Sequence, residues 1–308
     1  MVKKLQVSRA LLAAALALAA GGATAVAVAT QPAGHVASAP AAASSRLQSA
    51  QDAKARAALL TYLSKDSLVP ARPSFRMGGL AKSAPSTADG SDSQPGIAQV
   101  GNFQLSGYLN ASVPGTFTAV SGSWRVPKTF CTKEQEVSSE FAGLDGTTAN
   151  NAEDVGTLEY CYQGKALYFT WWDVYPNAGV TVSSALHPGD LVTASVVRSG
   201  TAFTLSLTDT TDPSQSFSTT QTCSYCLAEG AMWIAERPFL PEGVAPLAPF
   251  YWHLTNASQT SNGATGGITA GPNPAEVTMM DVTMAYPLDS VSNLQHGNSF
   301  FIRYLDSY

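Results

Sequence analysis

An all-β fold is predicted for most of this chain of 308 residues: an antiparallel sandwich of two large stacked sheets. Three observations predict it. From residue 99 onward the sequence is a succession of short runs that alternate apolar and polar residues, among them TFTAVSGSWRVP, KALYFTWWDVYP, DLVTASVVRSG, AFTLSLTD, AEVTMMDVTMAY and SFFIRYL. These runs are separated by Gly, Pro, Asn, Asp and Ser, which is how closely spaced strands and turns read. No stretch of that region carries the 3.6-residue apolar period of an amphipathic helix. The composition agrees: 13% charged residues, 25 Gly and a net charge of −5, with none of the basic surface a nucleic-acid binder needs.

The start of the chain reads differently. Lys3, Lys4 and Arg9 precede an apolar run over residues 10–20, followed by small residues with a plausible cleavage point near residues 27–29. That is the form of a secretory signal, so 1–29 is read as a signal peptide and the protein as exported. Gly21 and Gly22 interrupt the run too early for a membrane span, and no second long apolar span occurs in the sequence. A stable membrane anchor is therefore not expected. Residues 30–50 are rich in Ala, Ser and Pro, and 46–64 carry Leu47, Ala53, Ala57, Leu60 and Leu63 on roughly one helical stripe. A basic stretch and the polar tract SAPSTADGSDSQPG complete a segment, 30–95, read as a removable pro-segment and linker, helical in part or disordered. Residues 1–95 hold ten Lys/Arg against four Asp, whereas 96–308 hold seven Lys/Arg against eighteen Asp/Glu, a body of net −11. A basic leader on an acidic body suggests either a membrane-adhesive tail or a segment that pairs electrostatically with that body.

All four cysteines lie in the β body. In an exported chain disulfides are the default, and the expected pairs are Cys131 with Cys161 and Cys223 with Cys226. Cys131 and Cys161 form no second C-x-x-C, so a four-cysteine zinc site is not expected; neither a metal nor another cofactor is.

Candidate chemistry rests on carboxylates. There is no H-E-x-x-H, no G-x-S-x-G and no phosphate-cradling glycine loop, and His187, His253 and His296 are solitary. Strand alternation places Phe169, Trp171, Asp173 and Tyr175 on one face of FTWWDVYP, and Met232, Ile234 and Glu236 on one face of AMWIAERP. A carboxylate set among aromatic and aliphatic neighbours is costly to ionise, which prepares it as a general acid or base. Pattern alone favours the plainer reading, two core-facing strands whose acids lie near the sheet ends.

In order and spacing, SGSWRVP, FAGLDG, EDVGT, WWDVYP and MWIAERP resemble the motifs of the glutamic peptidases (eqolisins), over essentially all of 99–308. The resemblance implies a β-sandwich of two seven-stranded sheets, a pro-segment, and an endopeptidase that works in acid on polypeptides. In that family a Glu and a Gln activate a water; the Glu falls on Glu236 and the Gln on Asp154. Further site positions of the family fall on Phe141, where a Trp is expected, and on Asp145, Trp171, Asp173 and Tyr175, as groups lining the substrate groove. Asp in the Gln position raises three outcomes: a working Asp/Glu enzyme in which Asp154 and Glu236 share a proton, a feeble enzyme, or an inactive relative that binds peptide or oligosaccharide in its groove. A glycosidase reading would instead pair Asp173 with Glu236. The pro-segment is expected to act as an inhibitor whose Lys and Arg side chains neutralise the groove, and the mature protein to be a monomer.

Overall fold

Every run singled out by its alternation contains a strand in the computed structural model, which describes residues 94–145, 151–177, 179–183, 185–240 and 243–305, but AEVTMMDVTMAY is strand only as far as Met279 and turns beyond it. The expected signal peptide and nearly all of the expected pro-segment and linker lie outside the described residues. In chain order the strands are β1 (Ala98–Asn102), β2 (Leu105–Ala111), β3 (Phe117–Arg125), β4 (Val137–Asp145), β5 (Ala152–Tyr162) and β6 (Lys165–Tyr175). Next come β7 (Val180–Ser183), β8 (Leu191–Ser199), β9 (Ala202–Asp209), β10 (Phe217–Thr222), β11 (Gly230–Glu236), β12 (Phe239–Leu240) and β13 (Gly243–Val244). The series ends with β14 (Tyr251–Ser261), β15 (Ala264–Gly266), β16 (Pro274–Met279), β17 (Asp289–Val291) and β18 (Phe300–Tyr304). The helices among the described residues are two single 3-10 turns.

The strands form two large sheets. The first runs β1-β16-β2-β11-β4-β5-β6-β7, the second β10-β9-β8-β3-β14-β18-β17 with β15 added beside β14. Each therefore has eight strands, one more than the resemblance implies. The sheets are antiparallel except that β1 lies parallel to β16 at one edge. β12 and β13 make a separate hairpin.

Between the sheets lies an apolar interior that includes Tyr108, Ala142, Leu144, Val155 and Trp233 of the first sheet and Trp124, Val196, Phe203, Trp252 and Phe300 of the second. Trp252 packs edge-to-face on both Trp124 and Phe300. Two of the three buried indoles find acceptors for their N–H groups: Trp233 Nε1 donates to the Ser121 carbonyl and Trp124 Nε1 to the Thr157 hydroxyl.

Two carboxyls from neighbouring strands are sealed into this interior. Glu140 of β4 lies opposite Thr157 of β5, and Glu159 lies opposite Ser138, so the two glutamates are diagonal neighbours. Thr157 and Ser138 donate their hydroxyls to Glu140 and Glu159 respectively. Both disulfides form as expected, Cys131–Cys161 and Cys223–Cys226, and no described cysteine is free.

Candidate active site

The hairpin that joins β5 to β6 sets the register of the site. Gln163 and Gly164, at φ of 52° and 72°, make its two-residue turn, the left-handed pair that matches the twist of a hairpin. From that turn Tyr162 lies opposite Lys165, Leu158 opposite Phe169, Gly156 opposite Trp171, and Asp154 opposite Asp173. Pairing of β4 with β5 and with β11 extends these rows across the sheet. One row reads Asp173, Asp154, Gly143, Met232 and Leu109; the next, Trp171, Gly156, Phe141, Ile234 and Gly107; the third, Phe169, Leu158, Ser139, Glu236 and Leu105. Because alternate residues share a face, Glu236, Asp154, Phe141, Trp171 and Asp173 all belong to the face turned away from the second sheet. Asp145 and Tyr175 lie on the same strands two residues beyond Gly143 and Asp173. The sequence-predicted residues are thus brought to one side of one sheet.

Two glycines shape that face. A Cβ built on Gly143 would lie 1.8 Å from Asp154 Oδ1, so the Asp154 carboxyl lies directly above the β4 backbone, leaning toward β11. A Cβ on Gly156 would meet the Glu140 carbonyl oxygen at 2.0 Å and the Phe141 Cβ at 2.8 Å. Gly156 is the gap over which Phe141 and Trp171, two strands apart, come together edge-to-face with centroids 5.7 Å apart. Trp171 Nε1 is anchored on the Thr157 carbonyl. Between the row of Asp154 and the row of Glu236 stands Phe141, on the strand between theirs.

The two substitutions have different expected effects. Gly143→Ala meets a side-chain oxygen that can swing aside, so it moves Asp154 and leaves the melting temperature nearly unchanged. Gly156→Ala meets backbone and forces β4 from β5; it is expected to lower stability by on the order of 3 kcal/mol, read as a drop in the thermal midpoint.

Asp154 is 0% exposed and Glu236 3%. The open cleft expected around them is therefore not what the structure shows at these two positions. Asp154 sits mid-strand in β5. Four residues of register separate Glu236 from the row of Asp154, and the acid directly across from Asp154 is Asp173. Asp145 has a structural attachment: its two oxygens accept the backbone N–H groups of Leu227 and Glu229 at 2.8 and 2.7 Å, which ties the Cys223–Cys226 loop to the end of β4. Burial pushes its carboxyl above the ordinary aspartate value. His187, His253 and His296 are all exposed.

One group of potential metal ligands occurs among the described residues, Glu153 with Cys223 and Cys226. Both sulfurs are engaged in the disulfide, so the group offers no thiolate for a metal to bind.

Residues 104–300 match the model of the Peptidase A4 family. The chain belongs to that family. Aspergillopepsin-2 of Aspergillus niger is 28% identical over 156 residues, which are 48% of this chain and 53% of that protein; the chain thus spans about half the length of this curated relative. Among solved structures, scytalido-glutamic peptidase with a transition state analog inhibitor superposes with a TM-score of 0.57 at 20% identity, covering 66% of this chain and 99% of that one. SCP-B, a member of the eqolisin family solved with the tripeptide Ala-Ile-His, gives 0.53 at 20% identity over 66% and 99%. At these identities the superpositions establish the fold, the two-sheet eqolisin sandwich.

Proposed function

We propose that this chain is an exported endopeptidase of the glutamic type, acting in acid on polypeptides through a water activated by Glu236, with Asp154 in the position the family resemblance assigns to a Gln. One observation carries the reading. Within the segment that matches the family model, sheet register puts Glu236, Phe141, Asp154, Trp171 and Asp173 on one face. Glu236 is the base that takes a proton from the attacking water. Asp154, when protonated, does what an amide N–H would do: it donates to the oxygen that gains charge in the tetrahedral intermediate. An ionised Asp can only accept, so the role requires the proton. Phe141 and Trp171 form an apolar wall against which a substrate backbone can lie.

Disulfides fit an extracellular protein, and export agrees with the reading of residues 1–29. The basic stretch of 30–95 is taken as an inhibitory pro-segment that pairs with the acidic body and loosens as carboxylates protonate. The mature protein is taken to act as a monomer.

The test is incubation of the processed protein with denatured casein from pH 2 to pH 7. Cleavage confined to the acid side, and weakened by Gly143→Ala, supports the reading. No cleavage at any pH sinks it and leaves a binding sandwich.

A further inference from the structure

We propose that the apolar part of the first sheet's outer face, on β1, β16, β2 and β11, is the docking surface for residues 53–63 of this same chain, held by apolar contact; this rests on the reading of 30–95 as a pro-segment. The two sheets differ in their outer faces. On the second, Ser121, Thr193 and Ser206 turn outward and stay partly exposed, so its strands alternate, as strands with one solvated face do. On the first, β2 and β11 are buried on both faces along their whole length. The second sheet covers one of those faces. On the other, register brings Val277 and Ile234 into one row and Ala275, Leu109 and Met232 into the next, with Leu105 beside Glu236. Each of these six apolar residues is at most 2% exposed. Among the described residues, the apolar side chains packed with them all belong to the same sheet. A two-layer sandwich leaves such a face to water unless a further segment covers it.

The occupant is argued from where the chain enters the fold. Gln94 is clasped to Leu294: its amide donates to the Leu294 carbonyl at 3.3 Å and accepts the Leu294 N–H at 2.8 Å. Four residues later comes β1, whose Ala98 and Val100 border the apolar field. The leader therefore meets the fold at the edge of this face. The stretch 53–63 lies outside the described residues, and residues 64–97 join it to β1. At about 3.3 Å per extended residue that connection reaches much farther than the roughly 20 Å from β1 to β4. Its sequence, AKARAALLTYL, carries Ala53, Ala57, Leu60 and Leu63 on one predicted helical stripe, with Lys54, Arg56 and Lys65 among and beside them. An apolar stripe meets an apolar field, and its cations meet an acidic body. Seated there, the segment lies beside Glu236 and Phe141 and keeps a polypeptide from them. Apolar contact does not titrate. Acid thus weakens the charge pairing of leader and body but leaves this hold, and release waits for the leader to be cut.

The test uses the unprocessed chain at neutral pH, with methionine oxidation by dilute hydrogen peroxide mapped by mass spectrometry. Met232 lies on the proposed surface; Met279, 0% exposed between the sheets, and Met284, 44% exposed, are the protected and open references. In Leu60→Asp/Leu63→Asp, Met232 should oxidise faster by about tenfold or more while Met279 stays protected. Lys54→Gln/Arg56→Gln, or about 0.5 M sodium chloride, should leave Met232 protected, because salt screens charge pairing and not apolar contact. Unchanged protection of Met232 in the double Asp variant overturns the proposal. Protection lost on charge removal or in salt overturns it too, since the hold is then electrostatic. Protection that falls on dilution assigns the face to a second copy and also overturns it. If the double variant exposes Met279 as well, it has unfolded, and a photo-crosslinker at position 60 of the otherwise native chain decides. Crosslinks to β2, β11 or β16 of the same chain support the proposal; crosslinks elsewhere, or only between copies, overturn it. None of these readouts needs catalysis, so a protein that cleaves nothing sinks the peptidase reading and leaves the docking to be decided on its own.

Discussion

Thermal unfolding is expected to be most resistant in acid and to weaken steadily as pH rises from about 4 to about 7, by several kcal/mol. The cause is a set of carboxyls that folding removes from water with few compensating cations. Asp289 of β17 is fully buried; burial pushes its carboxyl from 3.8 up to about 7, although the Met279 N–H donates to it and Arg237 lies near. Burial likewise raises Glu276, whose carboxyl accepts the Tyr108 hydroxyl at 2.9 Å. Burial raises Glu140 to about 7, and burial together with the charge of Glu140 beside it holds Glu159 well above the glutamate range.

The sign comes from proton counting. Between the unfolded and folded values the unfolded chain has lost protons that the native protein still holds, so raising the pH favours unfolding. The stabilisation is complete below about 4 and is lost as pH rises through about 7. For Asp289 alone the change is on the order of 4 kcal/mol at 1.36 kcal/mol per unit. Scanning calorimetry from pH 3 to 7.5 checks it, beside Asp289→Asn and Glu159→Gln. Each substitution should leave the acid-side midpoint within a few degrees and flatten the fall toward neutrality. A wild-type midpoint independent of pH would contradict the account. A protein built this way is suited to the acid conditions in which the proposed chemistry runs.

How much of this was legible beforehand depends on how many faces of a strand are covered. In β8 and β9 one face is packed and the other solvated, so DLVTASVVRSG and AFTLSLTD alternate cleanly and read as strands. β4 and β5 are buried on both faces. There VSSEFAGLD and AEDVGTLEY carry acids toward the second sheet (Glu140, Glu159) and away from it (Asp145, Asp154), and alternation alone gives no sign of which face is the site. Motif order supplied what period did not: it located Asp154 and Glu236. Neither source showed that Asp154 faces Asp173. That pairing is set by the length of one hairpin turn, legible in YQGK only after both flanking strands are known to pair. The roles of Gly143 and Gly156 were hidden for a similar reason. Each is a gap opposite a residue on a neighbouring strand, a property of pairing and not of local sequence. The parallel β1–β16 edge is a long-range pairing of the same kind.

Glu236→Gln is expected to reduce kcat by on the order of 10²–10⁴-fold, the span over which a positioned base contributes, with KM changed little. The substitution keeps the shape of the side chain and removes the proton acceptor alone. Glu236 ends β11, one row beyond Ile234 and two beyond Met232, so its place is fixed by a strand that pairs on both sides, with β2 and β4. Asp154→Gln tests the other half of the site and should behave in the opposite sense. It restores an amide that donates without needing a proton from solution. At acid pH the rate should stay within about tenfold of wild type, because one added methylene displaces the donor by roughly 1 Å and such shifts cost up to about a hundredfold. Above the wild-type alkaline limb the variant should outperform the parent, since Asp154 there has lost its proton and the amide has not. Kinetics across pH 2 to 7 on one peptide decide both. Undiminished turnover in Glu236→Gln removes it as the base, and an unshifted limb in Asp154→Gln removes Asp154 as the donor.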